Sequence, residues 1–185
     1  MSSASAIIDE LKAAFPAIRE RRFEPLVNSL QGDEPAQVEA DFSDKDDWTK
    51  LSPSWLDRVP DGLGSALSFL SNEAIRFYIP AFMAADLAGA LHRVDPAFHL
   101  VHGFDDKSRR RKIRADKRET WGDVACACWD RLAQDQVCAI VHYLEWRVER
   151  DGTDIEHRVV EALAAYWYPR AAGHWPDFSD SCVIH

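Results

Sequence analysis

The sequence contains little glycine and none of the common phosphate-binding motifs. Glycine accounts for 8 of the 185 residues, and no Gly-x-Gly-x-x-Gly fingerprint, phosphate loop or Gly-x-Ser-x-Gly elbow occurs. These motifs require glycine because the backbone must turn tightly and approach the ligand closely. The motif-bearing classes of nucleotide-binding protein and hydrolase are therefore excluded, whereas a catalytic site assembled from residues distant in sequence stays open.

Cysteine is equally sparse, and its spacing does not match a metal or redox site. The four cysteines are Cys126, Cys128, Cys138 and Cys182, and none forms a Cys-x-x-Cys pair. Zinc sites and dithiol redox centres depend on such pairs, so we predict free, mostly buried thiols in a reducing compartment. Histidine and carboxylate pairs three residues apart occur singly, without the additional ligands of a helical metal site. We therefore expect no cofactor and no metal.

Long hydrophobic runs are absent. The longest uncharged run, Gly62 to Asn72, is far shorter than the ~20 apolar residues of a membrane span. The N-terminus lacks a basic segment and reaches Asp9 and Glu10 early, unlike a signal peptide. We expect a cytoplasmic protein that does not contact membranes. Its length and its hydrophobic content of 46% predict a single helical domain over residues 1–185.

The periodicity of apolar residues predicts helices. Spacings of three and four recur in the segments 7–15 and 137–148. Helix-start signals occur at Ser52, Ser71 and Asp95, the first and last of which precede a proline. The alternation of apolar and polar residues that is typical of β-strands does not occur over any convincing length. The predicted fold is all-α, an irregular multi-helix bundle of about six to eight helices.

Two prolines are expected to interrupt helices. Pro80 lies inside an apolar helical pattern, where the missing N–H and the ring clash predict a kink or a break. Pro169 is expected to end the last helix. Three segments are predicted as loops: an acidic loop at about 31–47, a basic loop at about 105–118 and the tail 170–185.

The formal net charge of −9 is unevenly distributed. The segment 105–120 is basic, whereas the regions on either side are acidic. Such local fields attract partners of opposite charge. The candidate partner-binding residues are therefore Asp33, Glu34, Glu39, Asp41, Asp44, Asp46 and Asp47 in the acidic loop, Arg109, Arg110 and Arg111 in the basic loop, and the interface-type tryptophans Trp121 and Trp175.

One segment is similar to a known family. The stretch from Ala66 to Met83, ALSFLSNEAIRFYIPAFM, resembles the core of an uncharacterised bacterial domain family. The resemblance covers about half of the chain and implies bacterial origin and a related fold. No activity can be transferred from that family.

These observations favour a non-catalytic acidic protein that binds another protein. The most concrete form of this hypothesis is an immunity or antitoxin protein that neutralises a basic bacterial toxin enzyme. The first alternative is an enzyme with an unrecognised site near His99, His102 and Glu73, in a cleft where Pro80 breaks its helix. The second is a regulator that contacts nucleic acid through the basic loop, although the acidic remainder of the surface would repel phosphate.

Overall fold

The computed structural model describes residues 3–60, 65–151 and 153–175, with the backbone alone for 153–157. Within these residues the regular secondary structure is helical, and the β-type contacts are isolated bridges. The prediction of an all-α, multi-helix fold is confirmed. The α-helices are α1 (Ala4–Ala14), α2 (Asp33–Phe42), α3 (Pro53–Leu56), α4 (Asn72–Leu87), α5 (Pro96–Val101), α6 (Trp121–Trp129), α7 (Gln134–Asp151), α8 (Thr153–Ala162) and α9 (Tyr168–Ala171). Short 3₁₀ turns occupy Trp48–Lys50 and Ala66–Ser68, and a π-helical turn, Leu163–Trp167, joins α8 to α9.

Side chains cap several helices at the positions that the sequence indicates. Ser52, Ser71 and Asp95 each accept a backbone N–H from the first turn of α3, α4 and α5. Thr120 and Asp123 form a reciprocal capping box at the start of α6. Each cap satisfies a backbone donor that has no partner within its helix. The helix starts are therefore local properties of the sequence.

The core is organised around α4 and α7. Helix α4 packs against α1, α5 and α6, whereas α7 packs against α1, α8 and α9. Large side chains such as Tyr78, Phe82, Tyr143 and Trp167 are completely buried between these helices. Burial of this apolar area is the main stabilising contribution, and the shared neighbour α1 links the two halves.

A buried ion-pair network connects α4 to α7 and α5. The carboxylate of Asp86 accepts hydrogen bonds from Tyr143 Oη (2.6 Å), Arg147 Nη1 (2.9 Å) and Arg150 Nη1 (2.9 Å). Arg147 also donates to Asp95 Oδ1 (2.8 Å) and, through Nε, to Asp151 Oδ2 (2.7 Å). A buried charge is tolerated only when it is paired and hydrogen-bonded, so the network fixes how these helices meet.

The prediction of an acidic loop at 31–47 is wrong for most of these residues. Residues 33–42 form α2, with Asp33 and Glu34 in its first turn, where the helix dipole favours acidic side chains. Val38 and Phe42, four residues apart, are fully buried and supply the apolar contact that stabilises this helix. The segment has few apolar residues, so two of them four positions apart are too weak a pattern to predict a helix from the sequence.

The two proline predictions have different outcomes. Of the kink or break expected at the buried Pro80, the break is absent, because α4 continues through that residue. Burial along α4 evidently outweighs the ~3 kcal/mol cost of an internal proline. Pro169 does not end the last helix: it follows the π-helical turn, in the first turn of α9, where its missing N–H is tolerated.

The other two loop predictions have different outcomes. Residues 105–118 form turns without a helix. The predicted tail begins within α9, forms a turn at residues 172 and 173 and continues without regular structure to Trp175, and residues 176–185 lie outside the described residues. None of the described helices is long and apolar enough to cross a lipid bilayer.

Replacing Asp86 tests the buried network. In Asp86→Ala the charge of Arg147 stays buried with one acceptor removed, so we expect the free energy of unfolding to fall by about 3–5 kcal/mol. The control is Asp106→Ala, which removes an exposed ion pair to Arg109 and should cost no more than about 1 kcal/mol. Urea denaturation followed by circular dichroism measures both. Similar small losses in the two variants would contradict a central role for the network.

Candidate functional site

The segment Lys107–Arg118, called here the basic turn, is anchored at its first end by a buried carboxylate. Asp105 is 1% exposed and accepts the backbone N–H groups of Lys107 (3.1 Å) and Ser108 (3.0 Å), as well as the Ser108 hydroxyl. Ser108 Oγ in turn accepts the N–H of Gly103 (2.8 Å). These bonds hold the start of the basic turn in one conformation.

The same turn is tied to the start of α6. Trp121 N–H donates to the Arg111 carbonyl (2.9 Å), and Gly122 N–H donates to the Arg109 carbonyl (3.1 Å). Gly103 also lies directly against the start of α6: its φ is +93°, and a Cβ there would lie 2.5 Å from the Trp121 carbonyl oxygen. Only glycine fits such a position without strain.

All but one of the cations of the basic turn are exposed and make no ion pair with a described residue. Arg109 is half-buried and pairs with Asp106 (3.0 Å). Within the part of the chain that the structure describes, no ion pair involves the seven exposed cations Lys107, Arg110, Arg111, Lys112, Arg114, Lys117 and Arg118. The turn is therefore a concentrated positive surface on a protein of net charge −9.

A cavity lined by aromatic side chains lies next to the basic turn, on the side of Trp121. Its volume is about 430 Å³, and its walls come from α4, α5, α6 and the 3₁₀ turn before α4. Phe98 stacks on His102 with ring centroids 5.2 Å apart, and His102 meets the edge of Trp121 at 4.8 Å. We call these three rings the aromatic collar. A separate cavity of about 190 Å³ also uses Phe98 and His102 and contains Asp95, Asp105 and Arg147 of the polar interior.

Two histidines and a thiol in the aromatic cavity are held in their neutral forms. Burial lowers the pKa of His99 to about 4 and also lowers the pKa of His102, to which the positive charge of Arg111 contributes. Burial raises the pKa of the Cys128 thiol to about 12. At neutral pH the cavity therefore presents uncharged imidazoles as both donors and acceptors.

The acidic segment, in contrast, uses much of its charge within the molecule. Asp46 pairs with the buried Arg19, Asp44 with Lys45, and Asp47 with Lys50 (3.1 Å). Glu34 also interacts within the chain. Among the described residues, Asp33, Glu39 and Asp41 make no ion pair.

The other predicted residues are dispersed. Glu73 pairs with Arg21 (2.8 Å) on the surface, whereas His99 and His102 line the aromatic cavity. Trp175 is 62% exposed and lies against the Arg170 guanidinium, 3.6 Å from its ring centroid. Among the described residues, no group of three or more His, Cys, Asp or Glu side chains is arranged to hold a metal ion.

The grouping around α5 was not apparent in the sequence. Asp105 and Ser108 resembled ordinary loop residues, although an acid three residues before a serine hints at a side-chain turn. His99 and His102 lie three residues apart in the sequence, whereas Trp121 meets His102 only through the close contact of Gly103 with the start of α6. The collar therefore depends on tertiary contacts.

The fold and this surface define a helical protein with a rigidly anchored cationic turn beside an aromatic cavity. Residues 26–171 match a family of unknown function (DUF6714), and the chain belongs to that family. The expected membership of an uncharacterised family is confirmed. No curated protein and no solved structure shows significant similarity to the chain.

The contact at Gly103 can be tested by adding a methyl group. In Gly103→Ala the new Cβ would meet the backbone of Trp121 and the side chain of Ala125, and φ would remain positive. Gly89→Ala is a matched control, since its φ is +66° with no atom within 4 Å of the Cβ. Backbone strain alone costs about 1–2 kcal/mol. We expect Gly103→Ala to lower the free energy of unfolding by at least about 2 kcal/mol more than the control, as measured in urea.

The neutral state of His99 predicts a pH-dependent stability. An unfolded histidine has a pKa of about 6.5, so the unfolded chain binds a proton between that pH and the native pKa of about 4. The free energy of unfolding should therefore fall by about 2–3 kcal/mol as the pH drops through this interval. His99→Gln should remove the part of this slope that His99 contributes, whereas His174→Gln, at an exposed position, should retain it. Urea titrations at each pH measure the slope, and an unchanged slope in His99→Gln would refute the assignment.

Proposed function

We propose that this protein is a non-catalytic binding protein that recognises an acidic segment of another protein through its basic turn. The observation that carries the proposal is the set of seven exposed cations that make no ion pair with any described residue, on a turn whose ends are anchored. Because hydrogen bonds already order this backbone, binding of a partner does not carry the entropy cost of ordering the loop. An ordered cationic surface of this kind favours binding over simple solubility.

The charges of the turn repel one another in the free protein. The protein carries 31 acidic residues, enough to neutralise this segment, yet seven of its cations remain unpaired in the described chain. Exposed charges contribute little to folding, but they accelerate association with an oppositely charged surface and help to select it. This arrangement is consistent with selection for a partner.

The size and surroundings of the turn favour an acidic protein segment over nucleic acid. Residues on either side of 105–120 carry net negative charge, which would repel a long polyphosphate chain. A short acidic segment can contact the turn alone. Trp121, held against Arg111 by a backbone hydrogen bond, adds an aromatic side chain of the type found at protein interfaces.

A second candidate is the neutralisation of a basic toxin enzyme through the acidic segment. It is supported by Glu39 and Asp41 on α2, which make no ion pair within the described chain. This function takes the protein to be bacterial and cytoplasmic, as the sequence leads us to expect. The intramolecular pairs of Asp44, Asp46 and Asp47 weaken it relative to the first candidate.

Charge reversal in the basic turn tests the principal proposal. The probe is a fluorescein-labelled twelve-residue peptide of Glu and Asp with one Trp, measured by fluorescence anisotropy at low and at moderate salt. We expect Arg110→Glu/Arg111→Glu to weaken binding about tenfold or more, because two attractive contacts become repulsive. The control, Lys12→Glu/Arg22→Glu, changes the net charge equally at exposed positions outside the turn and should bind like the wild type.

Two further probes separate the alternatives. Tighter binding of a single-stranded RNA twelve-mer than of the acidic peptide would favour the nucleic-acid regulator and contradict the proposal. Binding of a Lys-rich peptide that is lost in Glu39→Lys/Asp41→Lys would favour the second candidate. Equal loss of acidic-peptide binding in both charge-reversed variants would mean that only net charge matters, and would also contradict a site at the turn.

A further inference from the structure

We propose that the groove between α7 and α8 is a docking site for a basic amphipathic helix of a partner protein, separate from the basic turn. The groove has a volume of about 410 Å³ and is lined by one side of α7, one side of α8, the π-helical turn and the start of α9. The proposal rests on the exposed apolar side chains of this groove, on the two carboxylates in its wall and on the helical spacing of both.

The groove exposes apolar side chains that the fold leaves uncovered. Val160 is 48% exposed and Tyr168 is 44% exposed, and they are two of the six large hydrophobic side chains that are exposed in the described chain. Next to them Val148 is half-buried and Leu163 is buried, so the apolar surface of the groove continues into the core. A contiguous apolar surface with polar residues at its rim is typical of a site that binds another protein.

Two carboxylates in the wall of the groove carry negative charge that the described chain does not neutralise. Glu145 accepts a hydrogen bond from Tyr168 Oη (3.0 Å), which holds its carboxylate beside the exposed ring. Glu149 is exposed, and neither glutamate makes an ion pair with a described residue. No lysine or arginine is among the described residues that line the groove, and the neighbouring Arg150 pairs with Asp86. The lining charges therefore attract a cationic occupant.

The spacing of the lining residues fits a helical occupant. Residues 145, 148 and 149 on one side of the groove, and residues 160, 163 and 164 on the other, recur at intervals of three and four. Each set therefore forms one ridge of its helix, and the apolar face of a third helix can pack between two such ridges. Glu145 and Glu149 lie one helical turn apart, about 5–6 Å, which matches lysines or arginines at positions i and i+4 of the partner.

The charge of the protein favours a basic protein segment over two other surfaces that an apolar groove could contact. An anionic membrane would be repelled by the two glutamates and by the net charge of −9. A second copy of the chain carries the same negative charge, and the exposed cations of its basic turn lie on turns instead of on a helix. A cationic amphipathic helix satisfies both the apolar surface and the carboxylates.

The probe for this site is a fluorescein-labelled, eighteen-residue peptide of Leu, Lys and Ala, with the leucines on one helical face and the lysines beside them. Its control has the same composition, with the leucines distributed around the helix. We expect saturable binding of the amphipathic peptide in fluorescence anisotropy, and binding of the control that is about tenfold weaker, because only the first peptide has a continuous apolar face. Equal affinity for the two peptides, or no saturable binding of the first, would overturn the site.

The carboxylates are tested with variants that keep their shape. Glu145→Gln/Glu149→Gln removes both charges but retains an acceptor for Tyr168, and it should weaken binding of the amphipathic peptide about tenfold. The matched control is Glu39→Gln/Asp41→Asn on α2, which also removes two charges that make no ion pair in the described chain and should bind like the wild type. Equal losses in the two variants would mean that only net charge attracts the peptide, and a loss in the α2 variant alone would place the binding there; both results contradict the proposal.

The apolar surface has its own pair of variants. Val160→Asn should weaken binding about fivefold or more, because the partner then loses an apolar contact. Ile18→Asn, at a position that is 61% exposed outside the groove, is the control and should bind like the wild type. On the wild type, intermolecular nuclear Overhauser effects are expected between the leucine methyl groups of the peptide and the Tyr168 ring. Contacts elsewhere only, or unchanged binding in Val160→Asn, would refute the assignment.

Two further measurements assign other occupants. Dimerisation in sedimentation that is lost in Val160→Asn would give the groove to a second copy. Binding to phosphatidylcholine–phosphatidylserine vesicles that is lost in the same variant would give it to a membrane, and either result contradicts the proposal. Because Glu145→Gln/Glu149→Gln leaves the basic turn intact, this variant should bind the acidic peptide like the wild type, so the groove and the basic turn can fail separately.

Discussion

The carboxylate of Asp86 is the interaction on which the remaining structure depends. It is 6% exposed and is shared by Tyr143, Arg147 and Arg150, so α4 and α7 can pack only where these groups meet. A buried charge without such partners would be strongly destabilising. Arg147 extends the constraint to Asp95, whose other role is to cap α5. The position of α5 therefore follows from a network centred on one acid.

The aromatic collar and the basic turn both depend on the residues that follow α5. Gly103 follows this helix and allows the chain to lie directly against Trp121, which brings the aromatic collar together. Asp105 then turns the backbone and presents the cations of the basic turn to solvent. The basic turn and the aromatic cavity adjoin each other because Trp121, whose N–H bonds the Arg111 carbonyl, also lines the cavity.

The two charged segments illustrate why charge counts alone do not identify an interface. Both are prominent in the sequence, and both are predicted from it as binding regions. In the acidic segment, Asp46 holds the buried Arg19 and thus contributes to the fold. In the basic turn, Arg110 and Arg111 are exposed, and their side chains make no ion pair within the described chain. Whether a charge serves folding or recognition depends on the tertiary neighbours that it meets.

The sequence by itself determined the all-α class and the helix starts at Ser71 and Asp95, because capping and apolar periodicity act within a few residues of the chain. It also located the basic turn. Only the tertiary structure decided that Asp86 meets Arg147, 61 positions away, and that Glu73 pairs with Arg21. Such contacts depend on how helices pack, and packing is a sum of many small interactions that local patterns do not encode. The sequence determines which charged and aromatic side chains are present, and the tertiary structure determines which of them lie together.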